Sequence, residues 1–587
     1  MIVEAMETVF REYQERRERP FWRMVQLFVA RIFGGGGDAD AEGLDLGVGL
    51  VLTLLAMPGG FVSLLLLNKY GTLLQWLRGI PNVDPLLITL PDEYFFIVLS
   101  MTVTGAVAVW RWDAIFPDRR DYMNLVPLPI STRSIFLANL VAVVFLAGLI
   151  AVDVNAASCV LFPAVVEATQ KSLLFFVKFG LVHTLVVMLA SVFAFFAVFS
   201  LLGLLMAVLP ARAFRRVSTY VRGIVVVYLI AMLCTSFAVP DFLRRLTATA
   251  PGWTMLTPSC WFLGLCQSLN GRASPALIEL SRLAFPGLAL VAALALGAYA
   301  ASYHRYFVRI AETTEITDTT RTSRLSFWEV LLDRMALRTQ FEKGCFRFVC
   351  KTMVRSEPHR LVLTAVGGLG LVLSSQALMA AYEGTRNLRV AALSPQALSI
   401  PFILSFLAIV GLRLVFEIPV ELRANWIFQL MLDDDGQACE RLARKVILIL
   451  VLPPLLLITF PAYVYIEGWM IAALHSTLVV VWTVSLTNIA LIRFRKLPFT
   501  CTLPLFKQHS IVTFLSCCFG FLIYAVSTPE FESSALLDPW RMLTLVPVAA
   551  VAWYVPHQLA KSAIDLERKL IFEESPTQTI ETLRLSG

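Results

Sequence analysis

The side chains able to do chemistry are few and far apart. His183 and His475 lie inside long apolar runs, in the related strings HTLVV and HSTLVV. An ionisable group in hydrocarbon is costly, which makes both candidates for handling substrate or protons along a translocation path. A neutral imidazole bonded to a neighbouring helix is the alternative these strings leave open. Asp153 and Lys178 sit near outer helix ends, where Lys178 can snorkel outward. Asp433, Asp434 and Asp435, beside Gly436, read as a solvated turn in preference to a Mg²⁺ site. Cys260 and Cys266 share an aromatic outer stretch, but a helical spacing of six points them apart, favouring free thiols over a disulfide. The ten cysteines show no CxxC or Cys/His metal pattern. There is no HExxH, GxSxG or Walker A string, and GGGGDADAEG (34–43) lacks the GK[ST] ending of a phosphate loop. No catalytic residue, metal or cofactor is expected in this chain, which reads as no enzyme.

One cytoplasmic-looking loop is richer than chain reversal requires. WRWDAIFPDRRDYMNLVPLPIS (110–131) alternates charge through Arg111, Asp113, Asp118, Arg119, Arg120 and Asp121. Pro117, Pro127 and Pro129 bracket the helix-sized piece DRRDYMNLV. Tyr122, Met123, Leu125 and Val126 give that piece an apolar side. A short amphipathic helix braced by prolines fits a docking knob better than a plain charged loop.

The elements that carry these residues follow from composition. The chain of 587 residues is 58% hydrophobic and only 16% charged, against about 25% charged in soluble domains. Its net charge of +7 suits membrane topology and not nucleic-acid binding. The N-terminal arginines precede a short amphipathic stretch, a pattern unlike a signal peptide. Runs long enough to span recur at 45–67, 93–110, 135–155, 173–209, 223–240, 283–303, 361–381, 398–416, 446–465, 469–491, 510–527 and 541–560. Twelve spans with both termini inside put roughly three quarters of the 49 Lys and Arg residues on the cytoplasmic side. The expected class is all-α and polytopic. Its parts are a cytoplasmic N-terminus with an amphipathic elbow (1–44), a six-helix domain (45–305), a cytoplasmic linker with an amphipathic helix (306–345), a second six-helix domain (346–562) and a cytoplasmic tail (563–587). The elbow presents Phe21, Val25, Phe28, Val29 and Ile32 on one face. KGCFRFVCKTMVRSEPHR (343–360) holds the matching place in the second half. In the linker, Ser326 and Glu329 stand at capping-box spacing.

The elbow, the second span ending in a charged turn, the DRRDYMNLVPLPIS segment and six spans per half together resemble permease subunits of ABC-2-type transporters. The aromatic stretch with Trp253 and Trp261 resembles that family's external re-entrant helices. The resemblance covers most of 20–305 and, less specifically, 343–562. It implies a subunit of a bacterial exporter in the inner membrane that forms the translocation path between its halves. It further implies that ATP and Mg are bound by a separate ATPase in two copies. Asp118, Arg119, Arg120, Asp121, Tyr122 and Leu125 would then contact that ATPase, with Pro127 and Pro129 fixing the exit angle. The second half departs from the pattern. Its loop offers Pro419, Arg423, Trp426 and Phe428 without the PLP string, RFRKLPFTCTLPLFK (493–507) is a further candidate contact, and its outer segment STPEFESSALLDP is short. A polytopic scaffold subunit without a transport path is the rival reading.

Overall fold

In the computed structural model, the structure describes residues 20–33, 55–67, 69–70, 89–112, 131–170, 173–236, 252–309, 339–385, 393–420, 436–492, 494, 496–500 and 510–536, with isolated positions 547, 550, 551, 554 and 558. Every regular element among them is helical. Nine helices among the described residues are long and apolar enough to cross a membrane. A chain whose backbone polar groups are satisfied within such helices is suited to lipid. The chain divides into two compact units, Met1–Thr319 and Thr320–Gly587.

The first unit starts with α1 (Pro20–Phe33), a helix over the residues expected to form the elbow. Met24, Val25 and Phe28 bury against Ile135, Ala138 and Ala142, while Trp22, Arg23, Gln26 and Leu27 stay outside. The short apolar α2 (Leu55–Leu67) follows, and then α3 (Leu90–Trp110), which opens with a proline in its first turn and Asp92 and Glu93 beside it. α4 (Thr132–Gln170) and α5 (Leu173–Val208) have 39 and 36 residues, far beyond the roughly 20 that span hydrocarbon. α6 (Ala211–Ser236), a 3₁₀ turn (Gly252–Leu256), α7 (Pro258–Leu269) and α8 (Pro275–Arg309) complete the unit. α3 is its centre: 78% of its apolar window is buried inside the unit, against 17% for α8.

The second unit repeats this order. α9 (Gln340–Arg355) is capped by the Thr339 side chain, which accepts from the Glu342 amide at 3.1 Å. α10 (Glu357–Thr385), α11 (Pro395–Val415), α12 (Gly436–Glu467) and α13 (Trp469–Ala490) follow. α14 (Ser510–Leu522) runs through a π turn (Ile523–Ser527) into α15 (Thr528–Leu536). Again the helix after the first span is central, α11 being 67% buried and α10 17%.

Helix ends depart from the apolar runs that signal them. The run 135–155 is a helix from Thr132 to Gln170, and 283–303 lies within Pro275–Arg309. Hydropathy marks only the part in contact with hydrocarbon, whereas backbone hydrogen bonding continues through polar flanks. Of the run 45–67 only α2 is described, and of 541–560 only single positions.

Candidate functional site

Both loops read as ATPase contacts begin where the most buried span of each unit ends. In the first unit, α3 leads into 113–130. Trp112, 1% exposed, packs among Val143, Leu146 and Phe199. Arg222 of α6 donates to the Val109 carbonyl at 3.2 Å and lies 5.9 Å from the Trp112 ring. Burial draws the neighbouring Arg111 guanidinium below its ordinary pKa. On the far side of the loop, Phe136 of α4 stacks on Tyr299 of α8 at 4.7 Å, and Asn139 Nδ2 donates to the Tyr299 hydroxyl at 2.6 Å. Start and finish of the loop are thereby fastened to α6 and α8.

In the second unit α11 leads into 421–435. Phe499 takes a left-handed φ of 72°, a conformation costly for a bulky side chain. It is held there by two backbone bonds: its N–H donates to Phe416 O at 2.9 Å, and Val420 N–H donates to Phe499 O at 3.3 Å. The ring packs on Phe348, His359 and Phe416. His359 sits between Ser356 Oγ at 2.6 Å and the Ile418 carbonyl at 3.1 Å. Arg413 pairs with Glu417, lies 4.8 Å from the Phe494 ring and donates to Ala490 O, while Lys496 reaches Glu417 at 3.8 Å. Residues 494 and 496–500, part of the segment singled out as a further candidate contact, therefore brace the base of this loop. The elbow joins in, because Glu342 of α9 pairs with Lys445 of α12 at 2.6 Å.

His183 and His475 occupy matching layers in their separate units. His183 on α5 meets Phe96 of α3 at 5.6 Å and Phe162 of α4 at 5.1 Å, with Phe179 beside it. His475 on α13 meets Phe402 of α11 at 6.0 Å and Tyr463 of α12 at 4.6 Å. About two turns further along each helix comes a hydroxyl, Ser191 or Thr483. Ser191 is bridged by Asn155 to Ser100 of α3, and Thr483 by Tyr524 to Ser405 of α11. These interhelical bonds hold the spans together where apolar burial gives helices no preference for each other over lipid.

The layers differ in one respect. His475 Nδ1 lies 2.8 Å from Glu532 Oε1, both side chains 1% exposed. His183 has aromatic neighbours in place of that carboxylate, while Nε2 of both histidines has no hydrogen-bond partner among the described residues. Glu532 belongs to α15, in the outer segment that the sequence marks only as short; Ser533 Oγ fixes that helix to the Leu393 carbonyl at 2.9 Å.

A second buried carboxylate sits at the head of α3. Glu93 accepts from Thr89 Oγ1 at 3.0 Å, Gln267 Nε2 at 2.7 Å and Cys266 Sγ at 3.2 Å. α7 is thereby tied to α3. Cys260 and Cys266 are both free and buried, and burial beside Glu93 pushes the Cys266 thiol well above its ordinary pKa. Nearby, Asp92 pairs with Lys69 at 2.7 Å and accepts from the Tyr70 hydroxyl at 2.7 Å. Burial and that carboxylate raise the Tyr70 pKa. Glu93 and Glu532 escape a search for motifs because each is one acid near the end of an apolar run.

Asp118, Arg119, Arg120, Asp121, Tyr122, Leu125, Pro127, Pro129, Arg423, Trp426, Phe428 and the Asp433–Asp435 run all lie outside the described residues. So do Ser326 and Glu329 of the linker. Among the described residues no group of His, Cys, Asp and Glu is arranged to hold a metal. Fold and composition together define an all-α, multi-pass membrane protein. Comparison with protein-family models, curated proteins and solved structures gave no match.

Proposed function

We propose that this chain is the membrane-spanning subunit of an ATP-driven exporter, similar to ABC-2-type permeases and working with a separate nucleotide-hydrolysing partner. The observation that carries the reading is mechanical: each candidate coupling loop hangs from the most buried span of its unit, and its base is braced. Arg222, Trp112 and Tyr299 brace the first; Phe499, His359 and Glu417 brace the second. A push on a loop so rooted moves a central helix and not merely the loop, which is what coupling ATP hydrolysis to a change of access requires. A loop serving only to reverse the chain needs no buried tryptophan or strained phenylalanine at its base. On this reading the chain lies in the bacterial inner membrane with both termini cytoplasmic, and Asp118–Leu125 and Arg423–Phe428 meet the ATPase.

The test is Arg119→Glu with Arg120→Glu. The doubly changed chain should insert normally and lose most of the ATPase that co-purifies with the unchanged chain in mild detergent. Equal recovery of the ATPase rejects the docking surface. Capture of partners with no nucleotide-hydrolysing chain among them favours the scaffold reading.

A further inference from the structure

One cavity in the first unit has the chemistry of a binding site. It holds about 50 Å³ and is lined by Glu93, Phe175, Lys178, Phe179, Gln267, Asn270 and Arg272. Its floor is already satisfied, since both Glu93 oxygens accept donors from Thr89, Cys266 and Gln267. Its rim carries two exposed cations, Lys178 and Arg272, neither of which makes a side-chain hydrogen bond or ion pair of 4 Å or less among the described residues, with Arg272 within electrostatic reach of Glu93. Arg272 is aimed by the turn that ends α7: Gly271 takes φ 78°, and the Arg272 N–H returns to the Gln267 carbonyl at 2.9 Å.

Lys178 interrupts an otherwise lipid-facing stripe. Leu174, Leu181 and Leu185 are 81%, 68% and 47% exposed, and they share a helical face with it. Lys178 lies in the second turn of α5, near its proposed outer end, where an anionic head at the lipid–water boundary would meet it. At about 50 Å³ the cavity is on the scale of a phosphate or carboxylate group alone, so a chain attached to it would lie outside, along the leucines.

We infer that Lys178 and Arg272, at the rim of the Glu93 cavity, form a subsite for the phosphate or carboxylate head of an anionic amphiphile entering sideways from the bilayer. The inference deepens the proposed function by naming a cargo class, and rests on it for the assignment of that amphiphile as cargo. Two charge-assisted contacts supply the affinity.

The test uses the full chain in dodecyl maltoside with dioleoylphosphatidylglycerol, dioleoylphosphatidylcholine or inorganic phosphate, read by lipid retained in native mass spectrometry and by the thermal midpoint. The unchanged chain should retain phosphatidylglycerol about tenfold better than phosphatidylcholine, and Lys178→Gln with Arg272→Gln should abolish that preference. Lys178→Arg with Arg272→Lys, which keeps both charges, should retain it. Equal retention of both lipids by the unchanged chain, or an unaltered preference in the glutamine variant, overturns the site. A thermal shift with phosphate alone, lost in the glutamine variant and not matched by lipid, assigns a free anion and overturns the amphiphile. No ATPase is present, so failure here leaves the coupling proposal standing, and failure of co-purification leaves this one.

Discussion

Glu93 and His475 show what a polar side chain requires inside an apolar bundle. Glu93 satisfies the Thr89 hydroxyl, the Cys266 thiol and the Gln267 amide together. Glu93→Ala strands the Cys266 and Gln267 donors at a cost of about 2–3 kcal/mol, seen as a lowered thermal midpoint in detergent; Glu93→Gln should fall between. His475 and Glu532 act as one unit, so His475→Ala or Glu532→Ala alone leaves a buried partner uncompensated, at about 3–5 kcal/mol. The double substitution should cost clearly less than the two added together. Strict additivity would show that the pair is not coupled. The sequence marks His475 because a histidine in an apolar run stands out, and it gives no sign of Glu532, which lies 57 positions away.

At the scale of elements, α7 depends on a near contact that only glycine allows. A Cβ on Gly264 would lie 2.5 Å from the Leu277 carbonyl oxygen and 2.9 Å from the Ser281 nitrogen of α8. These are backbone atoms and cannot turn aside. Gly264→Val should therefore push α7 off α8, cost about 1–3 kcal/mol, and expose Cys260 and Cys266. Maleimide labelling of those thiols, slow in the unchanged chain because both are buried and their pKa values raised, should become faster. Unchanged labelling would mean that α7 accommodates the side chain where it is. The aromatic stretch itself is legible in the sequence as an outer amphipathic segment. That it caps α3 through Glu93 is not, because the fit depends on backbones meeting at Gly264.

For the whole molecule, the proposed orientation places 113–130 inside and the cavity around Arg272 outside. A single cysteine at 120 should resist a membrane-impermeant maleimide in intact cells, and one at 272 should react; the reverse pattern would invert the topology and remove the coupling role. The all-α, multi-pass class was determined by the sequence, since a helix in hydrocarbon must be locally apolar for about 20 residues and that length is written directly in the chain. The elbow face of Phe21, Val25, Phe28 and Val29 was equally local, set by the 3.6-residue repeat. Tertiary structure alone decided that α3 and α11 are the buried centres, that Phe499 braces the base of a loop some 80 positions earlier in the chain, and that Glu532 and not a second phenylalanine stands against His475. Lipid-facing and protein-facing apolar residues look alike in a sequence, because hydrocarbon and a packed interior make the same demand on a side chain. Only the positions of neighbouring backbones tell them apart.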